Sequence, residues 1–305
     1  MDQKIIEHIS KLKKDRNAII LSHTYQLPEI QDIADYVGDS FGLSQTAANT
    51  KADVIVFCGV HFMAETASIL CPEKTILLPE IDAGCPMANM ITAKKLIKLK
   101  EKHPDATVVT YINSPAEVKA ESDIICTSAN AVTIVRNIKN RKIIFTPDKY
   151  LGSYAAEKNP DKEIILYNGY CIVHVRIIPE HILKLKKNHP NAAVLVHPEC
   201  TPPVRELADV IASTTGIINF AKNSDKKEFI IGTEIGIMHQ LEKNNPDKKF
   251  YHVSPVATCV NMKKITLEKI VCSLEDLKYK IEVNKETRQK SKHAIYKMFE
   301  YVRCN

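Results

Sequence analysis

Three of the nine cysteines recur at nearly equal intervals along the 305-residue chain. Cys85, Cys171 and Cys259 are separated by 86 and 88 residues, and each follows an apolar segment. The remaining cysteines do not keep this spacing: Cys58, Cys71, Cys126, Cys200, Cys272 and Cys304. An odd number of cysteines argues against a disulfide framework. Three converging thiolates make a soft metal site, which suits an iron–sulfur cluster or zinc and does not suit magnesium or calcium.

The spacing of the three thiols bears on which metal they hold. Structural zinc sites usually take four ligands from close pairs such as Cys-x-x-Cys, and the chain has no such pair. A cubane cluster held by three cysteines keeps one iron open, and an open iron acts as a Lewis acid. The pattern therefore favours a cluster and leaves zinc bound by three thiolates as the alternative.

Polar pairs, with members two residues apart, follow apolar strands at the same period. The pairs are His23 and Tyr25, Tyr111 and Asn113, and His197 and Glu199. Such side chains are general acids, general bases and hydrogen-bond donors, which proton transfer next to a carbonyl or imine requires. Glu199 is the candidate base, and His174, three residues after Cys171, is a candidate second proton carrier. Glu234 also stands at the end of a predicted strand.

Hydroxyl side chains recur at the same two offsets. Ser40, Ser128 and Thr214 each stand just before a predicted helix, so we expect them to be N-cap residues. The free backbone N–H groups and the dipole at a helix N-terminus bind carboxylates and phosphates. Three such termini facing one centre predict a binding site for an anionic small molecule.

The elements that must position these residues recur three times. Each unit of roughly 88 residues runs from a polar stretch into an apolar strand and then into a helix with proline near its first turn, at Pro28, Pro115 and Pro202. The strands are predicted at 18–21, 54–57 and 76–78, at 107–109, 143–145 and 164–166, and at 193–196, 229–231 and 251–253. Alternating strands and helices predict parallel sheets whose carboxyl ends carry the binding residues.

The predicted fold class is α/β, with three homologous three-layer α/β/α domains, built on parallel sheets, around a pseudo-threefold axis. We place the domains at residues 1–98, 99–184 and 185–305, the first including an N-terminal amphipathic helix and the third including additional C-terminal helices. The active site is expected at the centre, where the three sets of strand ends meet.

The composition excludes several other classes of protein. With 45% hydrophobic and 26% charged residues, the chain is neither disordered nor fibrous. The net charge of +6 is spread thinly and Trp is absent, so no basic stripe with stacking aromatics predicts nucleic-acid binding. No apolar run reaches the ~20 residues that span a bilayer, and residues 1–16 lack the apolar core of a signal peptide. We therefore expect a cytoplasmic protein that binds neither membrane nor nucleic acid.

Six motifs together resemble the quinolinate synthase family over nearly the whole chain. They are SHTYQ at 22–26, IQDIADYVGDS at 30–40, PDKYLG at 147–152, GYCIVH at 169–174, HPEC at 197–200 and TEIG at 233–236. The resemblance implies a [4Fe-4S] enzyme of three homologous α/β domains. It further implies that this enzyme condenses iminosuccinate (iminoaspartate) with dihydroxyacetone phosphate to quinolinate, phosphate and water, in de novo NAD biosynthesis. L-aspartate oxidase or aspartate dehydrogenase is implied as the supplier of the imine.

Residue roles follow from the same resemblance, position by position. The implied cluster ligands are Cys85, Cys171 and Cys259. The residues implied to surround the dicarboxylate substrate are His23, Ser40, Tyr111, Asn113, Ser128, His197, Glu199 and Thr214. The implied catalytic residues are Tyr25 and Glu199 as an acid–base pair, with His23, His197 and His174.

Two positions depart from the family pattern. Ser22 stands where the family usually has alanine, and no Cys-x-x-Cys-x-x-Cys run accompanies Cys259. A disulfide switch built on such a run is therefore not expected. A cluster held by Cys85, Cys171 and Cys259 is still expected.

The residues alone leave two other functions open. Three thiolates also fit a non-catalytic iron–sulfur carrier, which has no use for Tyr25 or Glu199. They fit a zinc hydrolase as well, with three thiolates and one water on the metal.

Overall fold

The computed structural model describes residues 3–303, so Cys304 lies outside the described part of the chain. Within that part, twelve strands form three separate four-stranded sheets. The strands are β1 (Ala18–His23), β2 (Tyr36–Gly38), β3 (Val54–Cys58), β4 (Thr75–Leu77), β5 (Thr107–Tyr111), β6 (Ile124–Cys126), β7 (Lys142–Thr146), β8 (Glu163–Leu166), β9 (Ala193–Val196), β10 (Val210–Ile211), β11 (Glu228–Gly232) and β12 (Lys249–His252). All nine strands whose bounds were predicted are present, with every end within two residues of the prediction.

Helices lie between the strands and follow the third sheet. They are α1 (Gln3–Asp15), α2 (Pro28–Ile33), α3 (Ser40–Asn49), α4 (His61–Leu70), α5 (Ala93–Lys102), α6 (Ala116–Ala120), α7 (Ala131–Asn137), α8 (Lys149–Glu157), α9 (Ile172–Val175), α10 (Pro179–Asn188), α11 (Pro202–Arg205), α12 (Thr214–Asn223), α13 (Ile237–Asn244), α14 (Leu267–Asp276) and α15 (Lys285–Arg303). The predicted N-terminal helix is confirmed as α1, and proline stands at the start of α2, α6 and α11 as predicted. Over residues 3–303, no helix is both long and apolar enough to cross a bilayer.

All three sheets have the same topology. Their strand orders are β2-β1-β3-β4, β6-β5-β7-β8 and β10-β9-β11-β12, and the strands within each sheet pair in parallel. Helices are interleaved between the strands of each sheet, which confirms the predicted α/β class with three parallel-sheet units. The domain boundaries at residues 98/99 and 184/185 stay predictions.

Burial on both faces explains why the central strands are so apolar. All five residues of β3 are buried, and Ile144, Phe145, Ile230 and Ile231 are completely inaccessible to solvent. Parallel strands covered on both faces consist of continuous apolar residues because neither face meets water. Burying one such side chain stabilises the fold by about 1.5–3 kcal/mol, so the sheets form rigid supports for the loops at their ends.

The carboxyl ends of the strands carry the residues that recur in the sequence. In each sheet the polar pair lies at or just after the end of the first strand (β1, β5 or β9), and the hydroxyl residue follows the second strand (β2, β6 or β10). The cysteine follows the fourth strand (β4, β8 or β12). Since parallel strands end at one edge, each sheet presents all three kinds of residue on the same side. The recurring sequence spacing therefore arises from one repeated topology.

The segment after β12 returns to the first two sheets. Helix α14 packs on α1. The N–H of Leu78 then donates to the carbonyl of Tyr279 (3.1 Å), and the N–H of Ile281 donates to the carbonyl of Ile76 (2.9 Å), which extends the first sheet beyond β4. Helix α15 packs on α6, β6 and α7 of the second unit and on α4 of the first. Residues 267–303, here called the clasp, thus connect the third unit to both others.

Candidate active site

One cavity lies where the three sets of strand ends meet. It contains about 680 Å³ of space not filled by protein atoms, counting its opening to solvent. The strand-end residue Glu234 lines it, and so do all thirteen residues that were assigned a role from the sequence: His23, Tyr25, Ser40, Cys85, Tyr111, Asn113, Ser128, Cys171, His174, His197, Glu199, Thr214 and Cys259. The three units therefore form a single site, while the roles of these residues stay predictions.

The three recurring thiols face the same interior. Cys85, Cys171 and Cys259 line the cavity, whereas the other cysteines of the described chain lie elsewhere. Burial disfavours a charged sulfur, so it raises the pKa of Cys85 to about 12 and raises the pKa values of Cys171 and Cys259 as well. The protein alone therefore keeps these sulfurs as neutral thiols at pH 7, and a bound cation is needed to stabilise all three as thiolates.

The loop that carries Cys171 is fixed by an aspartate side chain and a glycine. Asp148, which is completely buried, accepts hydrogen bonds from the backbone N–H groups of Leu151 (2.7 Å) and Cys171 (3.1 Å). Gly169 lies so close to Pro147 that a Cβ on it would come within 2.4 Å of the Pro147 carbonyl oxygen. Only glycine fits there, so the protein's own contacts define where the Cys171 sulfur lies.

Glu234 has the same role in the third unit. Its Oε1 accepts a hydrogen bond from the N–H of Cys259 (2.9 Å), and Lys263 Nζ lies 3.2 Å from the same oxygen. Asp148 and Glu234 are 86 residues apart and both follow the third strand of their sheet, so the recurring spacing was a signal for Asp148 as well. Sequence reasoning missed Asp148 because the first unit has the apolar Val60 at that place, which hides the pattern.

Asp148→Ala is expected to lower the free energy of unfolding by about 2–4 kcal/mol. The change leaves two buried backbone N–H groups without an acceptor, that of Leu151, which forms the N-cap bond of α8, and that of Cys171, and each loss costs about 1–2 kcal/mol. Urea unfolding at pH 7 measures the difference. Asp105→Ala, which removes an exposed partner of Lys142, is the control and is expected to leave the urea midpoint unchanged. Equal urea midpoints for Asp148→Ala and Asp105→Ala contradict the role of Asp148 in fixing this loop.

Glu199 is buried and is held from two sides. Its Oε1 accepts a hydrogen bond from the hydroxyl of Tyr111 (2.6 Å). Its Oε2 lies 2.8 Å from His174 Nδ1, a hydrogen-bonding distance without ideal alignment. Burial alone raises the pKa of Glu199, but interactions with His174, His197 and Tyr111 outweigh it and hold that pKa below its ordinary value. Glu199 is therefore a carboxylate at neutral pH and can accept a proton from a bound substrate.

Two imidazoles face the cavity as neutral rings. Burial lowers the pKa of His23 to about 4 and that of His197 to about 3. In each ring Nδ1 accepts the backbone N–H of the residue two positions later, Tyr25 (3.1 Å) or Glu199 (3.3 Å). Because Nδ1 is the acceptor, Nε2 carries the ring proton. Each ring can therefore donate one hydrogen bond to an anionic ligand.

The phenol of Tyr25 contacts two threonines of the third unit. Its oxygen lies 2.6 Å from Thr233 Oγ1 and accepts a hydrogen bond from Thr214 Oγ1 at 2.9 Å. Burial raises the pKa of Tyr25 well above its ordinary value, so the phenol is protonated at neutral pH. Thr233 Oγ1 is also 2.8 Å from His174 Nε2. Thr233, which the recurring spacing does not mark, thus lies between Tyr25 and the His174–Glu199 pair.

The three hydroxyl residues are not the N-caps that were predicted. Asp39 and Ser213 cap α3 and α12, each accepting a backbone N–H of the first turn (3.0 and 3.2 Å). Ser40 and Thr214 are instead the first helical residues, and Ser128 lies two residues before the cap position of α7. The prediction is wrong because a cap needs an extended backbone at the residue before the helix, which Asp39 and Ser213 have. The hydroxyls of Ser40 and Thr214 are therefore not used in capping.

The cavity offers hydrogen-bonding groups rather than cations. Asn113 Oδ1 is buried and has no hydrogen-bond partner within the described structure, so it is available to a ligand. Neither Lys nor Arg occurs among the lining residues that the structure describes. An anionic ligand must therefore be held by neutral donors, namely hydroxyls, imidazoles and backbone N–H groups.

Cys171, His174 and Glu199 form a second ligand set. Their sulfur, nitrogen and oxygen atoms all lie within 4.8 Å of one another, close enough to hold one divalent cation. Since Cys171 belongs to both sets, the cavity contains a three-cysteine set and a mixed set around the same sulfur.

Comparison with known proteins agrees with this geometry. The chain matches a family model described as "Quinolinate synthetase A protein" over residues 7–300. It is 57% identical over 298 residues to a quinolinate synthase of Caldicellulosiruptor saccharolyticus, with 98% of each chain covered. It is 55% identical over 295 residues to that of Methanosarcina barkeri, with 97% of each covered, and 53% identical over 303 residues to that of Dehalococcoides mccartyi, with 99% and 100% covered. The chain belongs to the quinolinate synthase family.

Membership of the quinolinate synthase family confirms the resemblance drawn from the six motifs, and the chain is accordingly an enzyme. The matched residues 7–300 include all three sheets and every loop that lines the cavity. In this member of the quinolinate synthase family, Cys171, His174 and Glu199 lie close enough together to hold a metal ion.

Proposed function

We propose that this chain is a quinolinate synthase, which condenses iminosuccinate (iminoaspartate) with dihydroxyacetone phosphate to quinolinate, phosphate and water in de novo NAD biosynthesis. The observation that carries the proposal is the meeting of three cysteine loops with a buried acid–base network in one cavity. Family membership over residues 7–300 supports it. Both reactants are small anions, and the cavity presents neutral hydrogen-bond donors.

The cofactor we propose is a [4Fe-4S] cluster held by Cys85, Cys171 and Cys259. The donor set fits this group, because three soft sulfurs, one from each unit, face one interior. No fourth cysteine belongs to the described cavity wall, so one iron is left open. When bound, the cluster supplies a Lewis-acidic iron for a substrate oxygen or nitrogen.

Substrate binding is proposed to use donors from all three units. The proposed contacts are the hydroxyls of Ser40, Ser128, Tyr111 and Thr214, the amide of Asn113, the ring N–H groups of His23 and His197, and the side chain of Glu199. The N-termini of α3 and α12 add their helix dipoles on the same side. These groups can orient a dicarboxylate without an arginine.

Tyr25 and Glu199 are the proposed acid–base pair. At neutral pH Glu199 is ionised and Tyr25 is protonated, so the cavity contains one group that accepts a proton and one that donates. Isomerisation and dehydration each move a proton from one substrate atom to another, which such a pair can perform. The apolar side chains of Val60, Phe62 and Met87 in the cavity wall limit the access of competing water.

Protein purified without oxygen is expected to be brown and to contain about four irons and four sulfides per chain, with broad absorbance near ~400 nm. It is expected to form quinolinate from iminosuccinate and dihydroxyacetone phosphate. Removing the iron with a chelator after oxidation is expected to abolish both the absorbance and the activity, and reconstitution is expected to restore both. Colourless protein that forms quinolinate at full rate contradicts the cluster.

A second candidate, a zinc hydrolase, is favoured by one observation. The mixed set of Cys171, His174 and Glu199 has three different donor atoms within 4.8 Å, which suits one zinc with an open position for water. Elemental analysis separates the candidates, since the hydrolase requires one zinc per chain and no colour. A finding of one zinc per chain without colour calls for a screen of hydrolase substrates.

Supply of the imine is proposed to come from L-aspartate oxidase or aspartate dehydrogenase. Either enzyme oxidises aspartate to the imine that this cavity is proposed to bind. This supplier and the cytoplasmic location stay predictions.

A further inference from the structure

We propose that Gln31, Lys119 and Arg205 are positioning residues, each of which fixes one cavity residue of its own unit against a neighbouring unit. These three residues, here called the brackets, lie on α2, α6 and α11, and none of them lines the cavity. The inference rests on the proposed function, since it concerns how the residues of that reaction are held. Its basis is one buried contact that recurs in all three units.

Each bracket stands six residues after a residue of the cavity wall. Those residues are Tyr25, Asn113 and Glu199. The brackets are separated by 88 and 86 residues, which are the offsets at which the polar pairs recur. Because the brackets are a glutamine, a lysine and an arginine, the recurrence is one of position and does not form a motif in the sequence. All three residues are buried, with no more than 3% of their surface exposed.

In each unit the bracket donates a hydrogen bond to the backbone carbonyl that directly follows the cavity residue. The carbonyls are those of Gln26, Ser114 and Cys200. Gln31 Nε2 donates over 2.9 Å and Arg205 Nη1 over 2.7 Å, and Lys119 Nζ is the third donor. The three accepting residues are completely inaccessible to solvent, so water is not available to replace the donors. An amide, a guanidinium and an ammonium group therefore make the same contact.

Two of the brackets also donate hydrogen bonds to a neighbouring unit. Gln31 Nε2 donates to the carbonyl of Gly236 in the third unit (3.0 Å). Arg205 donates to the carbonyl of Tyr150 (3.2 Å) and to the hydroxyl of Ser153 (3.0 Å) at the start of α8 in the second unit. The first unit is thus joined to the third, and the third to the second.

Lys119 joins the second unit to the first. Its Nζ lies 5.5 Å from the centre of the Phe62 ring on α4, which is a favourable cation–π distance. Glu65 of the same helix accepts a hydrogen bond from the N–H of Ala116 at the start of α6 (3.2 Å). Burial lowers the pKa of Lys119 to about 8, against the attraction of Glu65 and Glu117. Since lysine is almost never fully buried without compensation, these contacts explain why the amine lies here.

The contacts between units form a closed ring. Each unit is joined through its bracket to a different neighbour, and each bracket holds the backbone beside one cavity residue. Tyr25, Asn113 and Glu199 therefore keep their positions only when every unit is packed against the next. The brackets couple the packing of the three units to the shape of the substrate site.

The test exchanges one kind of bracket for another in protein with its full iron content. Lys119→Gln keeps a donor of the kind that Gln31 supplies, so KM for iminosuccinate is expected to stay within about threefold of the parent value. Lys119→Met removes the donor, and Asn113 is a proposed substrate contact, so KM is expected to rise about tenfold with kcat within about threefold. Its Tm is not expected to fall, because loss of a buried charge offsets the lost hydrogen bond. A purely structural role predicts the reverse, a lower Tm with unchanged KM.

Gln31→Met is expected to give the other kinetic pattern. Gln31 holds the backbone beside Tyr25, the proposed acid, so kcat is expected to fall about tenfold with KM within about threefold. Methionine keeps the size of the side chain and removes the donor. Iron content is measured on every variant and is expected to stay at the parent value.

Lys74→Met is the matched control. Lys74 Nζ also donates to backbone carbonyls, those of Thr50 (2.8 Å) and Ala52 (2.7 Å), but neither follows a residue of the cavity. This variant is expected to keep the parent kcat and KM. Parent KM in Lys119→Met, an equal rise of KM in Lys119→Gln, or an equal change in Lys74→Met overturns the brackets. Iron-loaded parent protein that makes no quinolinate overturns the proposed function itself and is thus distinguishable.

Discussion

Cys171→Ser is expected to give a colourless protein that retains less than about one iron per chain and makes no detectable quinolinate. A serine hydroxyl is a hard and weakly acidic ligand, whereas iron–sulfur clusters are held by soft thiolates. The loop cannot shift to compensate, because Asp148 and Gly169 fix it on both sides of Tyr170. Cys85→Ser and Cys259→Ser are expected to give the same result. Iron, sulfide and visible absorbance of protein purified without oxygen measure it.

Cys272→Ser is the control for this series. Cys272 is exposed on α14 and lies outside the cavity, so its replacement is expected to change neither colour nor turnover. Circular dichroism of every variant shows whether the fold is retained. A folded Cys171→Ser protein with full iron content contradicts the three-cysteine site.

Glu199→Gln is expected to lower kcat for quinolinate formation about 10²- to 10⁴-fold, the usual contribution of a general acid or base. Glutamine keeps the size of the side chain but has only one acceptor oxygen, so it cannot satisfy Tyr111 and His174 together. It also cannot take a proton from the substrate at neutral pH. Iron content and the visible spectrum are expected to stay at parent values. Steady-state kinetics together with iron analysis check both expectations.

Glu228→Gln provides the matched control, because Glu228 also accepts a hydrogen bond from a tyrosine, Tyr251 (3.1 Å), but lies outside the cavity. Its turnover is expected to be unchanged. Full activity in Glu199→Gln contradicts an acid–base role for Glu199. Loss of the metal together with activity instead places Glu199 in the mixed set with Cys171 and His174.

The fold could be predicted because each unit repeats the same physical pattern. Apolar strands such as 54–57 are buried on both faces, and proline marks the start of short helices such as α2 and α11. Three cysteines at one register position could be recognised because parallel strands bring equivalent loops to one edge of each sheet. The location of these three cysteines in the cavity therefore follows from their spacing in the sequence alone.

The features that could not be predicted from the sequence depend on contacts that the recurring spacing does not encode. The N-cap of α3 is Asp39 and not the predicted Ser40, because the backbone dihedrals, rather than the residue type, decide where a helix begins. Thr233 joins Tyr25 only after two segments 208 residues apart have packed together. Such side-chain contacts between units have no periodic signal in the sequence.

The clasp has a consequence for the order in which the protein is made. A ribosome synthesises β4 about 200 residues before Tyr279, whose carbonyl pairs with the chain just after β4. Until then the β4 edge of the first sheet has no strand beside it and is open to pairing with other chains or to chaperones. We therefore expect nascent chains that stop before the clasp to aggregate or to be held by chaperones, although all three sheets have already been translated. The first unit to be synthesised is thus completed only after the third.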